Sequence, residues 1–242
     1  MRNTIAVTPA HTLVHWSHAG SPIIFPLREH PSGETRGGIP LCAPMFSVQQ
    51  RAVVGSDLPM HGLLMHSAHG EITHDEDTDT ITIESHFSAT DTFAWNHTVV
   101  TNITETENAL SYQLTISRAP DCPNPAEMPL SLGFHPYFAT HEQDFSFTID
   151  EQTWTKDTLP DNIIDSAFVK NPHQLPATIT TAKHTITITA SGFDEYCIWT
   201  DDVTNYICIE PIWQYREFGL PETGLQPGEE KVVTVGLRVE GR

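Results

Sequence analysis

The chain is organised on a period of two. Leu110, Tyr112, Leu114 and Ile116 alternate with Ser111, Gln113, Thr115 and Ser117. Ile81 and Ile83 alternate with Thr80, Thr82 and Glu84, and Ile186 and Ile188 with Thr185, Thr187 and Thr189. Near the C-terminus, Val233, Val235, Leu237 and Val239 alternate with Val232, Thr234, Gly236 and Arg238. Successive side chains of a strand point to opposite faces, so each run offers one face to a core and one to water. That is the habit of antiparallel strands, and the many threonines suit a half-exposed pleat.

Polar punctuation separates the runs at Asp75-Glu76-Asp77, Glu107-Asn108, Asp201-Asp202 and Gln226-Pro227-Gly228. The Pro-rich stretch from Pro120 to Pro129 reads as a loop between strands. No segment carries a helix-period stripe with caps. Many short strands joined by polar turns predict an all-β fold, a large antiparallel β-sandwich or barrel. No linker divides the chain and no repeat recurs at a fixed period, so residues 1–242 are expected to form one domain.

Composition narrows the function classes. Twelve basic residues against 31 acidic ones give a formal net charge of −19. Such a potential repels nucleic acid and anionic membranes, so neither is an expected partner. The cysteines Cys42, Cys122, Cys197 and Cys208 form no C-x-x-C pair and no dense framework. The first 20 residues have no apolar signal-peptide region, and no stretch is apolar enough to span a bilayer. A soluble, cytoplasmic protein is expected, its oligomeric state unspecified.

Four segments are odd for a plain sandwich: Thr35–Cys42 with its Arg36-Gly37-Gly38, Leu58–Gly62 with His61, Gly133–Phe138 with His135, and Ile207–Pro211 with Glu210. His135 sits among aromatic residues before Pro136, which biases it to extended backbone and ends strand pairing there. Imidazole moves protons near neutral pH and suits acid catalysis. The plainer reading is a core histidine bonded to backbone. Glu210 closes an apolar run before Pro211, where desolvation raises a carboxyl's pKa and makes it a better base. The plainer reading there is an edge glutamate in water. Arg36 offers a planar fork of donors for hydroxyls or an anion, but no helix follows the Gly-Gly pair to make a phosphate cradle. His61, His66, His69 and His74 invite a metal, yet His66-x-x-His69 would need helical geometry to converge. Asp75 to Asp79 lacks the glycine and distal glutamate of a calcium loop. Neither a metal nor an organic cofactor is expected.

Taken together, Arg36-Gly-Gly-Ile-Pro40, Leu58-Pro-Met-His-Gly62, Gly133-Phe-His-Pro-Tyr-Phe138, Cys208-Ile-Glu-Pro211 and Leu225-Gln-Pro-Gly-Glu229 resemble the aldose 1-epimerase (galactose mutarotase-like) family. That family includes the hexose-6-phosphate 1-epimerases. The segments fall in the family's order from about residue 21 almost to the C-terminus. The resemblance implies a supersandwich with a sugar cleft, His135 as catalytic acid, Glu210 as catalytic base, and Arg36 and His61 as sugar contacts. It also implies an aspartate on the sugar hydroxyls, best matched by Asp165, with Asp194 second. Where relatives often carry Phe-Ala-Arg after His-Gly, Leu63-Leu64-Met65 stands here, and Ala43–Ser47 replaces a Phe-Pro-Trp-Phe-Gly type of stretch. Both departures, with the negative charge, weigh against a phosphorylated substrate. The expected function is anomer interconversion of a small-molecule hexose by acid/base ring opening. The alternatives are a catalytically inactive carbohydrate-binding sandwich, a hexose-6-phosphate 1-epimerase, and a glycoside hydrolase, which would need a second flanking carboxylate.

Overall fold

The computed structural model describes residues 5–31, 33–47, 57–140, 144–160, 163–171, 173–193, 195–213 and 224–242. Strand makes up 53% of the structure and helix 4%, so the alternating runs form strands and the architecture is the expected antiparallel β-sandwich. The helical residues identified are three-residue 3-10 turns, such as Leu64–His66 and Ile163–Asp165.

The strands, β1 to β20 in chain order, lie mostly in two nine-stranded antiparallel sheets. The front sheet runs β1 (Ala6–Val7), β2 (Leu13–His18), β3 (Ser21–Ile24), β12 (Tyr137–Ala139), β19 (Tyr206–Trp213), β11 (Leu132–Phe134) and β6 (Leu41–Cys42). On the other side of β19 lie β18 (Glu195–Trp199) and then β15 (Ala167–Lys170). The back sheet runs β14 (Gln152–Thr155), β13 (Phe145–Ile149), β16 (Ala177–Thr181), β17 (His184–Ser191), β20 (Glu230–Gly241), β10 (Ala109–Arg118), β9 (His97–Glu105), β8 (Thr80–Phe87) and β7 (Glu71–Asp75). A small hairpin pairs β4 (Arg28–Glu29) with β5 (Thr35–Arg36).

Register follows the hydrophobic alternation, because a one-residue slip would turn every apolar side chain to water. Leu110, Tyr112, Leu114 and Ile116 of β10 face inward with Val233, Val235, Leu237 and Val239 of β20, and each is buried. They meet Phe134, Phe138, Ile207 and Ile209 of the front sheet in one core. Each such side chain contributes about 1.5–3 kcal/mol on burial. The turn signals fall between strands, at β7–β8, β9–β10, β18–β19 and just before β20. The Pro120–Pro129 segment carries the chain from β10 in one sheet to β11 in the other. Buried Arg118 holds the base of that crossing, donating to the carbonyls of Leu225 (2.8 Å) and Asn124 (2.5 Å).

The front sheet's central strand is apolar in both directions. Ile207 and Ile209 enter the core, while Cys208, Glu210 and Ile212 point to the outer face. Glu210 therefore does not close its strand, as its position before proline led one to expect. β19 continues through Pro211 to Trp213, paired with β18 along this stretch. Proline's fixed φ lies within the extended range, and pairing from neighbours outweighs one missing N–H donor.

The His11 side chain ties the N-terminal segment to the back sheet. His11 is fully buried, with Nδ1 2.7 Å from Thr101 Oγ1 and Nε2 2.8 Å from Ser85 Oγ. The Tyr112 hydroxyl donates to its carbonyl. Burial lowers the His11 pKa to about 4, so the ring is neutral at pH 7.

Candidate active site

Sheet register assembles the site. β11 and β12 lie end to end against β19, with Gly133 opposite Ile212 and Tyr137 opposite Cys208. The same register carried across the break at His135-Pro136 sets His135 opposite Glu210. The break is where Pro136 was expected to end pairing. On the other flank of β19, Cys197 pairs with Glu210, and Phe168 of β15 pairs with Cys197. Paired residues share a face, so His135, Glu210, Cys197 and Phe168 form one row across the outer face. The adjoining row is Tyr137, Cys208 and Trp199.

These rows floor a cleft of about 780 Å³ that His135, Glu210, His61, Arg36 and Asp165 all line. Five separate chain segments thus bring the expected site residues to one cavity. Asp165 sits exposed at its mouth, on the 3-10 turn before β15. Asp194, the second candidate for that position, lies outside the described residues.

His135 and Glu210 are a close buried pair, Nε2 to Oε1 3.6 Å, with side chains 8% and 2% exposed. Among the described residues, Glu210 Oε2 and His135 Nδ1 find no hydrogen-bond partner. Burial pushes the Glu210 carboxyl well above its ordinary value. It also pushes the His135 imidazole well below its own, helped by the nearby His61 and Arg36. Both shifts favour the uncharged forms, a protonated carboxyl beside a neutral imidazole. Orphaned buried polar atoms cost about 1–3 kcal/mol each, a cost that a polar ligand would relieve.

The imidazole is held on several sides. Tyr137 stacks on it at 4.7 Å between centroids, while Trp199 (5.7 Å) and His61 (5.3 Å) meet it edge-on. The His135 backbone N–H donates to the Pro40 carbonyl at 2.9 Å, and that of Tyr137 to Gly38 at 3.1 Å. Gly37 and Gly38 thread between strands at positive φ, where an added Cβ would lie 2.3 Å from the Pro26 and Leu13 carbonyl oxygens. The Gly-Gly pair thus serves close backbone approach rather than anion binding.

His61 adopts a left-handed backbone, φ +64°, an uncommon state for a residue with a Cβ. Its Nδ1–H donates to the Phe46 carbonyl at 2.7 Å, which leaves Nε2 as the acceptor of the neutral ring. Burial keeps it neutral by lowering its pKa. Phe46 lies over Gly133, where a Cβ would meet its ring at 2.4 Å. Arg36 reaches the cleft over Trp199 but is already engaged, by Asp201 at 3.0 Å and Glu34 at 2.5 Å. These carboxylates raise its pKa against the opposing effect of burial.

The four-histidine metal grouping does not assemble. His74 pairs with Asp79 on the β7–β8 hairpin, and His66 Nε2–H donates to the Met60 carbonyl at 3.1 Å. Among the described residues, the grouping of metal-type donors is instead His135, Cys208 and Glu210, within 4.8 Å of one another. Burial, first, and Glu210, second, raise the Cys208 thiol well above its ordinary value, which disfavours the thiolate that a soft metal takes. Cys197 and Cys208 are buried in apolar clusters, as expected of cysteines inside such strands, and both flank Glu210, with Cys197 lining the cleft.

Sequence reasoning missed several lining residues: Trp199, Phe46, Cys197, and Thr8, Ala10 and Thr12 of the pinned N-terminal segment. Nothing in their local sequence marks them, since the cleft is made by register between distant strands. Met65, at the position of the departing arginine, lines the cleft, whereas Met45 is buried in the core.

No protein-family model matches the chain, and no curated protein matches it in sequence. Solved structures do. A galactose mutarotase-like protein from Lactobacillus casei ATCC 334 superposes with a TM-score of 0.77 at 16% identity, covering 99% of each chain. Galactose 1-epimerase from Lactobacillus acidophilus NCFM gives 0.70 at 14%, covering 96% of this chain and 89% of that one. A galactose mutarotase-like protein from Clostridium acetobutylicum gives 0.66 at 16%, covering 98% and 92%. At these identities the likeness shows the fold. No helix among the described residues is long and apolar enough to cross a membrane.

Proposed function

We propose that the chain is an aldose 1-epimerase that interconverts the α and β anomers of a sugar by acid/base ring opening. The observation that carries this reading is the buried His135–Glu210 pair, set 3.6 Å apart at the cleft floor. Two groups that hold one proton between them suit a reaction needing one proton removed and one supplied.

In the forward direction Glu210, as carboxylate, takes the proton from O1 while His135, as imidazolium, gives one to O5. The C1–O5 bond breaks and C1 becomes an aldehyde carbon. After rotation about C1–C2, O5 attacks the other carbonyl face, His135 recovers its proton from O5, and Glu210 returns one to O1. The pair thus shuttles between two tautomers of equal net charge, so the dry cleft bears no change in net charge during turnover. Burial disfavours the carboxylate–imidazolium form. A bound sugar stabilises it by donating O1–H to Glu210 and accepting at O5 from His135. Positioned acid and base groups supply about 10²–10⁴-fold each. His61 Nε2, Arg36 and Asp165 orient hydroxyls, and Tyr137 and Trp199 fix the imidazole plane.

The test is anomer exchange by saturation-transfer NMR on glucose and galactose, with His135→Ala and Glu210→Gln as controls. Exchange above the spontaneous rate that both variants abolish is the expected result. Near-wild-type exchange in Glu210→Gln sinks the assignment. Sugar binding without exchange in the wild-type protein would make the chain a carbohydrate-binding sandwich.

A further inference from the structure

We propose that Asp201 is a positioning residue of the cleft, holding the Arg36 guanidinium in place for a sugar hydroxyl without touching the sugar itself. This rests on the epimerase reading and adds to it a residue that acts through another.

Arg36 stands on a weak support. It lies on β5, which pairs with β4 as a separate two-stranded sheet outside both large sheets. A lone two-stranded hairpin is marginal in water, and an arginine side chain has many rotamers to lose on ordering. His135 and Glu210, by contrast, are set by the register of the front sheet. A guanidinium that is to orient a hydroxyl from such a hairpin needs a tether to the cleft floor.

Two carboxylates reach Arg36, and they differ in what they can do. Glu34 belongs to the same hairpin and its side chain is 64% exposed. It moves with Arg36 and fixes nothing relative to the acid/base pair. Asp201 is 165 residues away, in the turn between β18 and β19, the strands that floor the cleft. Arg36 Nε–H and Nη2–H both donate to Asp201 Oδ2, at 3.1 and 3.0 Å. Asp201 therefore ties the hairpin to the sheet that carries Glu210.

The tether is itself held at its far end. The Tyr206 hydroxyl donates to Asp201 Oδ1, so each carboxylate oxygen has a partner. The Asp202 N–H donates to Thr200 Oγ1 at 3.1 Å, and the Thr200 hydroxyl to the Tyr206 carbonyl at 2.8 Å. The Asn205 side-chain amide donates to the Asp202 carboxylate at 2.6 Å. From just past β12, the Thr140 hydroxyl lies 3.0 and 2.9 Å from the Val203 and Thr204 carbonyls. Joining two antiparallel strands requires none of these side-chain bonds; holding Asp201 in one place does.

The guanidinium is left with little freedom. Nη1 also donates to the Thr35 carbonyl at 3.3 Å and Nη2 to Glu34 at 2.5 Å. Among the described residues, four of its five N–H donors are thus engaged. Its carbon sits 5.2 Å from the centre of the Trp199 ring, which meets His135 edge-on. The remaining Nη1 hydrogen is the one kept for a hydroxyl of the ring bound at the acid/base pair.

The experiment is a double-mutant cycle of wild type, Asp201→Ala, Arg36→Met and the double variant. It reads anomer exchange of glucose and galactose, with calorimetric titration of the same sugars. Asp201→Ala should raise KM about tenfold and leave kcat within about twofold, because the acid/base pair is untouched. In the Arg36→Met background it should change nothing further, since no guanidinium remains to be positioned. If Asp201→Ala melts below the assay temperature, Asp201→Asn, which keeps the side-chain volume, takes its place. An equal KM increase with and without Arg36, or an unchanged KM in Asp201→Ala, overturns the inference and leaves the epimerase reading standing. Should wild type exchange neither sugar, that reading falls and the same cycle in Kd decides. A tenfold loss of affinity confined to chains that keep Arg36 upholds the inference. An additive loss, no loss, or no binding overturns it.

Discussion

Replacing Glu210 by Gln gives a stability signature that can be worked out from burial alone. The residue is 1% exposed, one carboxyl oxygen lacks a partner among the described residues, and its pKa in the fold lies well above the ordinary value. In the unfolded chain it ionises near pH 4.3 and a histidine near 6.5. A group with a raised folded pKa contributes stability that is complete below its unfolded pKa and lost as pH rises toward the folded one. Above about pH 4.3 the unfolded chain has released this proton while the native protein keeps it. Stability from Glu210 then falls by about 1.4 kcal/mol per pH unit. His135 acts in the opposite sense: its lowered value contributes stability present above about pH 6.5 and lost below it. In the wild type the two slopes cancel between about pH 4.3 and 6.5 and leave a plateau. Glutamine fills the same volume without a titrating proton. The difference in unfolding free energy, wild type minus Glu210→Gln, should therefore fall as pH rises above about 4.3, by up to about 1.4 kcal/mol per unit until the folded carboxyl ionises. Urea unfolding followed by tryptophan fluorescence at pH 5, 6, 7 and 8 measures it. A difference independent of pH would refute the reasoning, because Glu210 would then ionise in the fold as it does in the unfolded chain.

The same inverted pair predicts a pH–rate profile. With His135 shifted down and Glu210 up, kcat/KM for anomer exchange should be flat at least across the interval between the ordinary carboxyl and imidazole values, about pH 4.3 to 6.5, and a narrow bell there would contradict it. Gly133→Ala brings a Cβ to 2.4 Å from the Phe46 ring. The overpacking should cost about 1–3 kcal/mol. It should also slow exchange, because the Phe46 carbonyl orients His61; thermal melts and NMR check both, and Phe46→Leu in the same chain should restore the melting temperature. His11, with its pKa lowered to about 4, contributes stability present above pH 6.5 and lost as pH falls toward 4. The loss approaches about 3 kcal/mol, and His11→Asn should flatten that acid limb in urea titrations.

What the sequence determined follows from local chemistry. Alternation along β10, β17 and β20 specified the strands, because a period of two can bury one face of a pleat and no other element can. Turn residues at Asp75–Asp77 and Gln226–Gly228 specified where strands end. His135 and Glu210 stood out because each is a titratable group inside an apolar run before proline, a costly placement. The expectation that Glu210 ends its strand failed because local reading sees Pro211 and not the neighbours that pair with β19 around it. Trp199, Phe168 and Cys197 were invisible for the same reason. Each reads as one more apolar residue of a strand, and only the register of β15, β18, β19 and the broken β11–β12 strand puts them in rows with the acid/base pair. The rise of the Glu210 pKa was legible from its apolar run, whereas the fall of the His135 pKa was decided in three dimensions. Desolvation depends on what packs over a group, and here it is Tyr137, Trp199 and His61, brought from three separate segments, that make the floor dry.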